Sequence, residues 1–173
     1  MTKRVVLFGT LVLGTLVWAQ GQRPRLSPPA ETSITIAGNT LAVKYSAPSM
    51  RGRKIFGALV PFGKVWRAGA NEATAFHTDA DLDLGGLSVP KGDYTLYVLP
   101  EENQWTLIVN KQTGQWGTVY NETMDLGRVK MNLERSATPI ETYKITLTST
   151  GPRTGKLQLE WENTIAWVPF TVK

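Results

Sequence analysis

The 173-residue chain has no cysteine and a single histidine. The first absence excludes a disulfide scaffold and every thiolate, iron–sulfur or cysteine–zinc mechanism. The second leaves a transition metal without the paired imidazoles or thiolates that hold it. Phosphate loop, dinucleotide fingerprint, metalloprotease motif and the Gly-x-Ser-x-Gly elbow are all missing, so nucleotide cofactors, zinc peptidase chemistry and a nucleophile-elbow hydrolase have no support. No cofactor and no metal are therefore expected. Long apolar runs are scarce too. The one run, Val5 to Val17, has about 13 residues against the roughly 20 that a spanning helix needs, and no second run follows it.

What that run does resemble is the core of an export signal. Lys3 and Arg4 precede it, and Val17-Trp18-Ala19 closes it with small or modest residues at the cleavage-facing positions. Residues 1–19 are read as a signal peptide cut after Ala19, which makes the protein periplasmic or secreted with no stable membrane anchor after cleavage. Removing Lys3 and Arg4 lowers the formal charge from +5 to +3. So mild an excess gives no reason to expect nucleic acid as a partner.

Residues 20–31 hold three of the ten prolines, two arginines and almost nothing apolar, and read as a flexible leader. The folded domain is expected over 32–173. With 42% hydrophobic and 19% charged residues it has the material for a packed core. Period-two alternation recurs along it, as in Leu41, Val43 and Tyr45, then Trp105, Leu107 and Val109. Three further sets are Val129, Met131 and Leu133; Tyr143, Ile145 and Leu147; and Leu157, Leu159 and Trp161. Turn chemistry separates such segments, for example Ala37-Gly38-Asn39 and Gly85-Gly86. The pattern predicts an all-β fold, an antiparallel β-sandwich or open barrel. One short helix is expected at Arg53–Leu59, where Ile55, Phe56 and Leu59 share a face.

The block Tyr45-Ser46-Ala47-Pro48-Ser49-Met50-Arg51-Gly52-Arg53-Lys54-Ile55-Phe56-Gly57, continuing from Leu59 through Lys64-Val65-Trp66-Arg67-Ala68-Gly69-Ala70-Asn71-Glu72-Ala73-Thr74, resembles the signature of the bacterial domain of unknown function 2911 family. Gly92-Asp93-Tyr94-Thr95-Leu96-Tyr97, Asn110-Lys111, Gln115-Trp116-Gly117 and Leu159-Glu160-Trp161-Glu162 follow in that family's order, so the resemblance covers roughly Ser27 to Lys173. It implies a secreted or periplasmic single domain in bacteria, with no catalytic residues to carry over.

The chemically dense segment is Trp66 to Glu72. An indole, a guanidinium, a carboxamide and a carboxylate stand there among small residues that let backbone or another molecule approach closely. Two accounts compete. In the structural one Arg67 and Glu72 pair and clasp the loop while Trp66 fills core. In the functional one Arg67, Asn71 and Glu72 hydrogen-bond a ligand beside Trp66, joined by Tyr45, Arg51, Arg53 and His77. A second candidate surface is the Gly-rich loop carrying Trp116 and Tyr120, aromatics that suit the flat face of a sugar. His77 sits opposite Phe76 on an alternating segment, and Asp79, Asp81 and Asp83 read as a solvated face because the calcium-loop pattern fails.

Three function classes follow. The first is a binding module for a glycan or small polar ligand. The second is a hydrolase or lyase using Glu72 with His77 or Arg67. The third is an envelope domain whose partner is a protein.

Overall fold

The computed structural model describes residues 25–173; the signal peptide expected over 1–19 lies outside the described residues. Among the described residues nine strands form one antiparallel sheet in the order β1-β2-β3-β6-β7-β8-β9-β4-β5. They are β1 (Pro29–Ile36), β2 (Asn39–Ser46), β3 (Thr74–Thr78), β4 (Leu82–Leu84), β5 (Leu87–Val89), β6 (Gly92–Pro100), β7 (Trp105–Asn110), β8 (Asp125–Ser149) and β9 (Thr154–Val172). The sheet does not close, and the fold is all-β, as the alternation predicts.

Two layers arise because β8 is long. Its first residues, Asp125 to Met131, pair with β7, and the remainder from Asn132 to Ser149 pairs with β9. Register shifts between Arg135 and Ile140 and again before Lys144 break the ladder midway. Opposite them Glu162 takes a positive φ of 53°. Such irregularities let a strand bend and pass from one layer to the other. The apolar positions read from the sequence face inward. Val129, Met131, Tyr143, Ile145, Leu157, Leu159 and Trp161 are buried, and Leu133 packs against them half-buried.

Tight turns set the hairpin registers. Ala37 and Gly38, both at positive φ, close Ile36 onto Asn39, and Gly85-Gly86 closes Leu84 onto Leu87 in the same way. Asp79, Asp81 and Asp83 accept backbone N–H groups of Thr40, Lys91 and Gly86, so these carboxylates fasten turns.

Two boundaries differ from the sequence expectation. β1 starts at Pro29 rather than near Thr32, and the Pro28 carbonyl already accepts Ala47 N–H at 2.8 Å. Proline suits the first position of an edge strand, where its missing N–H leaves no gap in the ladder. The Arg53–Leu59 segment is a series of turns, and among the described residues the one short helix is a 3-10 turn at Glu122–Met124. Gly57 takes φ 80°, outside the helical region, and the Glu162 carboxylate accepts the Ile55 and Phe56 amides at 3.2 Å each, which ties the segment to β9. Ile55 and Phe56 are buried while Leu59 is 46% exposed, so the three share no face.

Candidate functional site

The loop from Lys64 to Ala73 is pinned to the sheet before it offers any chemistry. Trp66 exchanges both backbone hydrogen bonds with Val98, at 2.7 and 2.8 Å. Ala70 N–H donates to Ser46 O, and Thr74 Oγ1 donates to Ala68 O. Ala68 and Asn71 take left-handed φ values of 50° and 57°, conformations that non-glycine residues hold only where their surroundings impose them. The Trp66 indole is buried and stacks on Trp161 at 5.8 Å, with the Phe56 and Tyr143 rings edge-on to it. Trp66 is thus a core residue, and the loop is held from beneath.

Glu72 and Arg67 do not pair. The Glu72 carboxylate instead meets Arg25 at 2.7 Å and accepts from Ser46 Oγ at 3.4 Å. A hydrogen bond from its own backbone amide and then the bond to Arg25 hold its carboxyl below the usual carboxylate range. Among the described residues Arg67 has no carboxylate partner, and its Nε is sealed from solvent with no hydrogen bond. Burial pushes the guanidinium's pKa down. The stem lies over Gly117, where a Cβ would collide with Arg67 Cδ. Gly117 in turn donates its N–H to Asn71 O at 3.0 Å. The loop carrying Trp116 and the loop carrying Arg67 are therefore packed as one unit.

A strap of three residues, Arg25 to Ser27, crosses this unit. Arg25 is tied to Glu72, Leu26 O accepts from Arg51 Nη2 at 2.7 Å, and Ser27 O accepts from Asn71 Nδ2 at 3.3 Å. Under it lies a cleft of about 330 Å³ whose walls include Leu26, Arg53, Leu59, Trp66, Arg67 and Asn71. That volume is at the lower end of the range for small-molecule pockets, about 300–1,000 Å³. A second groove of about 380 Å³ shares Leu26, Ser27 and Asn71 and adds Trp116, which is 52% exposed. A third depression of about 300 Å³ holds Glu72 with Arg25 and Tyr45.

The expected site residues thus separate. Arg53, Trp66, Arg67 and Asn71 share one cleft, Trp116 adjoins it, and Arg51 anchors the strap above it. Glu72 and Tyr45 lie in the neighbouring depression, where Tyr45 Oη accepts from Ile145 N–H at 3.0 Å. His77 belongs to a separate groove of about 470 Å³ on the β2–β3–β6 face, between Asp79 and Asp93. Tyr120 donates to Asp125 at 2.7 Å, accepts from Arg128 at 3.0 Å, and has its hydroxyl pKa pushed up to about 12 by burial and then by the Asp125 bond. Tyr120 is a member of that polar cluster and lines none of the clefts around the strap.

Sequence reasoning missed Leu26, Ser27, Leu59 and Trp161 as walls of the cleft. Leu26 and Ser27 stand in a stretch with the composition of a linker, and Trp161 carries only the signal of an inward strand position.

Fold and site together define an all-β domain with a strapped, arginine-bearing cleft at one edge of its aromatic core. The chain belongs to the family described as protein of unknown function (DUF2911), which matches residues 27–170. No curated protein and no solved structure matches it.

Proposed function

We propose that this is an exported bacterial binding domain that holds a small polar ligand, a glycan or an organic acid, in the cleft under the Arg25–Ser27 strap. One observation carries the reading: the half-buried Arg67 guanidinium, without a carboxylate partner among the described residues, forms a wall of that cleft. A guanidinium in a cleft wall with no carboxylate beside it is a ready partner for the acceptor of a ligand. Asn71 beside it and the exposed Trp116 in the adjoining groove supply a polar contact and an aromatic face. Export fits the charged start and short apolar run of residues 1–19.

The hydrolase or lyase reading finds less support. Glu72 faces neither Arg67 nor His77, and the two carboxylates beside His77 are Asp79 and Asp93. The test is a thermal titration of the purified protein with a panel of soluble glycans and small acids. A saturable rise in Tm that Arg67→Gln abolishes supports the proposal. A panel that leaves the wild-type Tm unchanged at millimolar concentration overturns it.

A further inference from the structure

Three arginines surround the cleft, and their partners differ. Arg51 Nη2 donates to Leu26 O at 2.7 Å, and Arg53 donates through Nε to Met50 O at 2.9 Å and through Nη2 to Ser49 O at 2.7 Å. Arg67 alone of the three is without a hydrogen bond at its buried nitrogen. Among the described residues no carboxylate lines the cleft, while Arg53 and Arg67 do. Among the described residues around the cleft, one anionic group therefore suffices to answer the Arg67 guanidinium, and a second negative charge meets cations already engaged with backbone.

The remaining walls are poorly suited to a neutral sugar. A hydroxyl both donates and accepts, so a sugar ring needs acceptors around it as well as donors. The polar side chains here are two arginines, Asn71, whose Nδ2 is committed to Ser27 O, and Ser27, a set dominated by donors. The other walls are apolar. Leu26 is 72% exposed and Leu59 is 46% exposed, and both line the cleft together with the buried Trp66 and Trp161. Large aliphatic side chains that stand in solvent in the same cleft as an arginine without a carboxylate partner mark a place where an apolar body is covered on binding.

We propose that the ligand is a small organic monoanion with an apolar body. Its acidic head is taken by Arg67, and its hydrocarbon or aromatic part lies between Leu26 and Leu59 over the Trp66–Trp161 pair. The proposal rests on the binding reading above and narrows it, excluding neutral glycans from this cleft. A volume of about 330 Å³ limits the body to one ring or a short chain.

The test uses four pairs of probes on the purified protein, read by the indole N–H signals of Trp66, Trp161 and Trp116 in nitrogen–proton correlation spectra. The pairs are phenylacetate and phenylacetamide, hexanoate and hexanamide, glucuronate and glucose, galacturonate and galactose. The expected result is saturable movement of the Trp66 and Trp161 signals by phenylacetate and hexanoate, with each amide weaker by about ten-fold or more, the scale of a charge-assisted hydrogen bond. Arg67→Met should bring each acid down to the affinity of its amide. Leu59→Asn, distant from the acidic head, should weaken acid and amide alike. An amide that binds as tightly as its acid, or sugar acids that match phenylacetate, would overturn the proposal. Movement by neutral sugars alone overturns it while leaving the binding reading intact. Signals that no probe moves overturn both.

Discussion

Glu72 closes on Arg25 at 2.7 Å, reaching 47 positions back along the chain, while Arg67, five positions away, has no carboxylate partner among the described residues. The Arg67–Glu72 clasp that the block suggests does not form; Glu72 instead ties the strap to the loop. The Arg67 side chain is thereby left to the cleft.

Glu72→Gln tests what the Arg25–Glu72 pair does. Both partners are about half exposed, at 59% and 48%, so solvent screens the pair and Tm should change little. The effect should appear locally, as faster amide exchange at Ala47, whose N–H donates to Pro28 O beside the strap. A Tm loss of several degrees would instead make the pair a main tie of the fold.

Arg67→Met separates a site residue from a structural one. Methionine keeps the stem that packs on Gly117 and removes a donor that finds no partner. An unsatisfied buried donor carries a penalty of about 1–3 kcal/mol, so Tm should hold or rise. Scanning calorimetry showing a clear fall would mean that the guanidinium is bonded in solution and that the cleft wall is a structural element.

Much of this fold was readable in advance because burial on one face writes period two into the sequence. Val129 and Met131, or Leu157, Leu159 and Trp161, are cases where only one face meets the core. β6 obeys no such rule, since Tyr94 through Val98 are all buried, and its alternation is correspondingly absent. β8 hides its length for another reason: Arg135 to Ile140, where it changes layers, is exposed or half-exposed and breaks register. The site divides in the same way. Trp66, Arg67 and Asn71 announce themselves as unlike chemistries on one short loop, whereas Leu26 and Ser27 become walls only through contacts spanning more than twenty residues. Local pattern carries no record of such contacts.

Gly117→Ala should damage stability and site together. The added methyl would meet Arg67 Cδ and stand 2.7 Å from Asn71 O, backbone that cannot move without disturbing the Gly117–Asn71 hydrogen bond. Overpacking of this kind costs about 1–3 kcal/mol. Denaturant unfolding should show that loss, with the Trp116 emission shifting as its loop lifts. A variant as stable as wild type would show that the two loops are not held as one unit.

His77 offers a test in the separate groove on the β2–β3–β6 face. Its Nδ1 faces Asp93 at 2.8 Å and its Nε2 faces Asp79 at 3.0 Å, and both carboxylates are acceptors. A neutral imidazole has one N–H and satisfies one of them, whereas the imidazolium satisfies both. The Asp79 hydrogen bond first, and then the Asp93 bond, therefore raise the pKa above the ordinary 6.5. A raised folded-state pKa means that the stabilisation is fully present below pH 6.5 and is lost as pH climbs through the folded value. With the side chain 44% exposed the stability change should be modest, and His77→Gln should remove it. Because this is the one histidine in the chain, proton NMR reads its titration without assignment, and Asp79→Asn should move the midpoint back toward 6.5. A wild-type midpoint at or below 6.5 would mean that the two carboxylates do not hold the ring in solution.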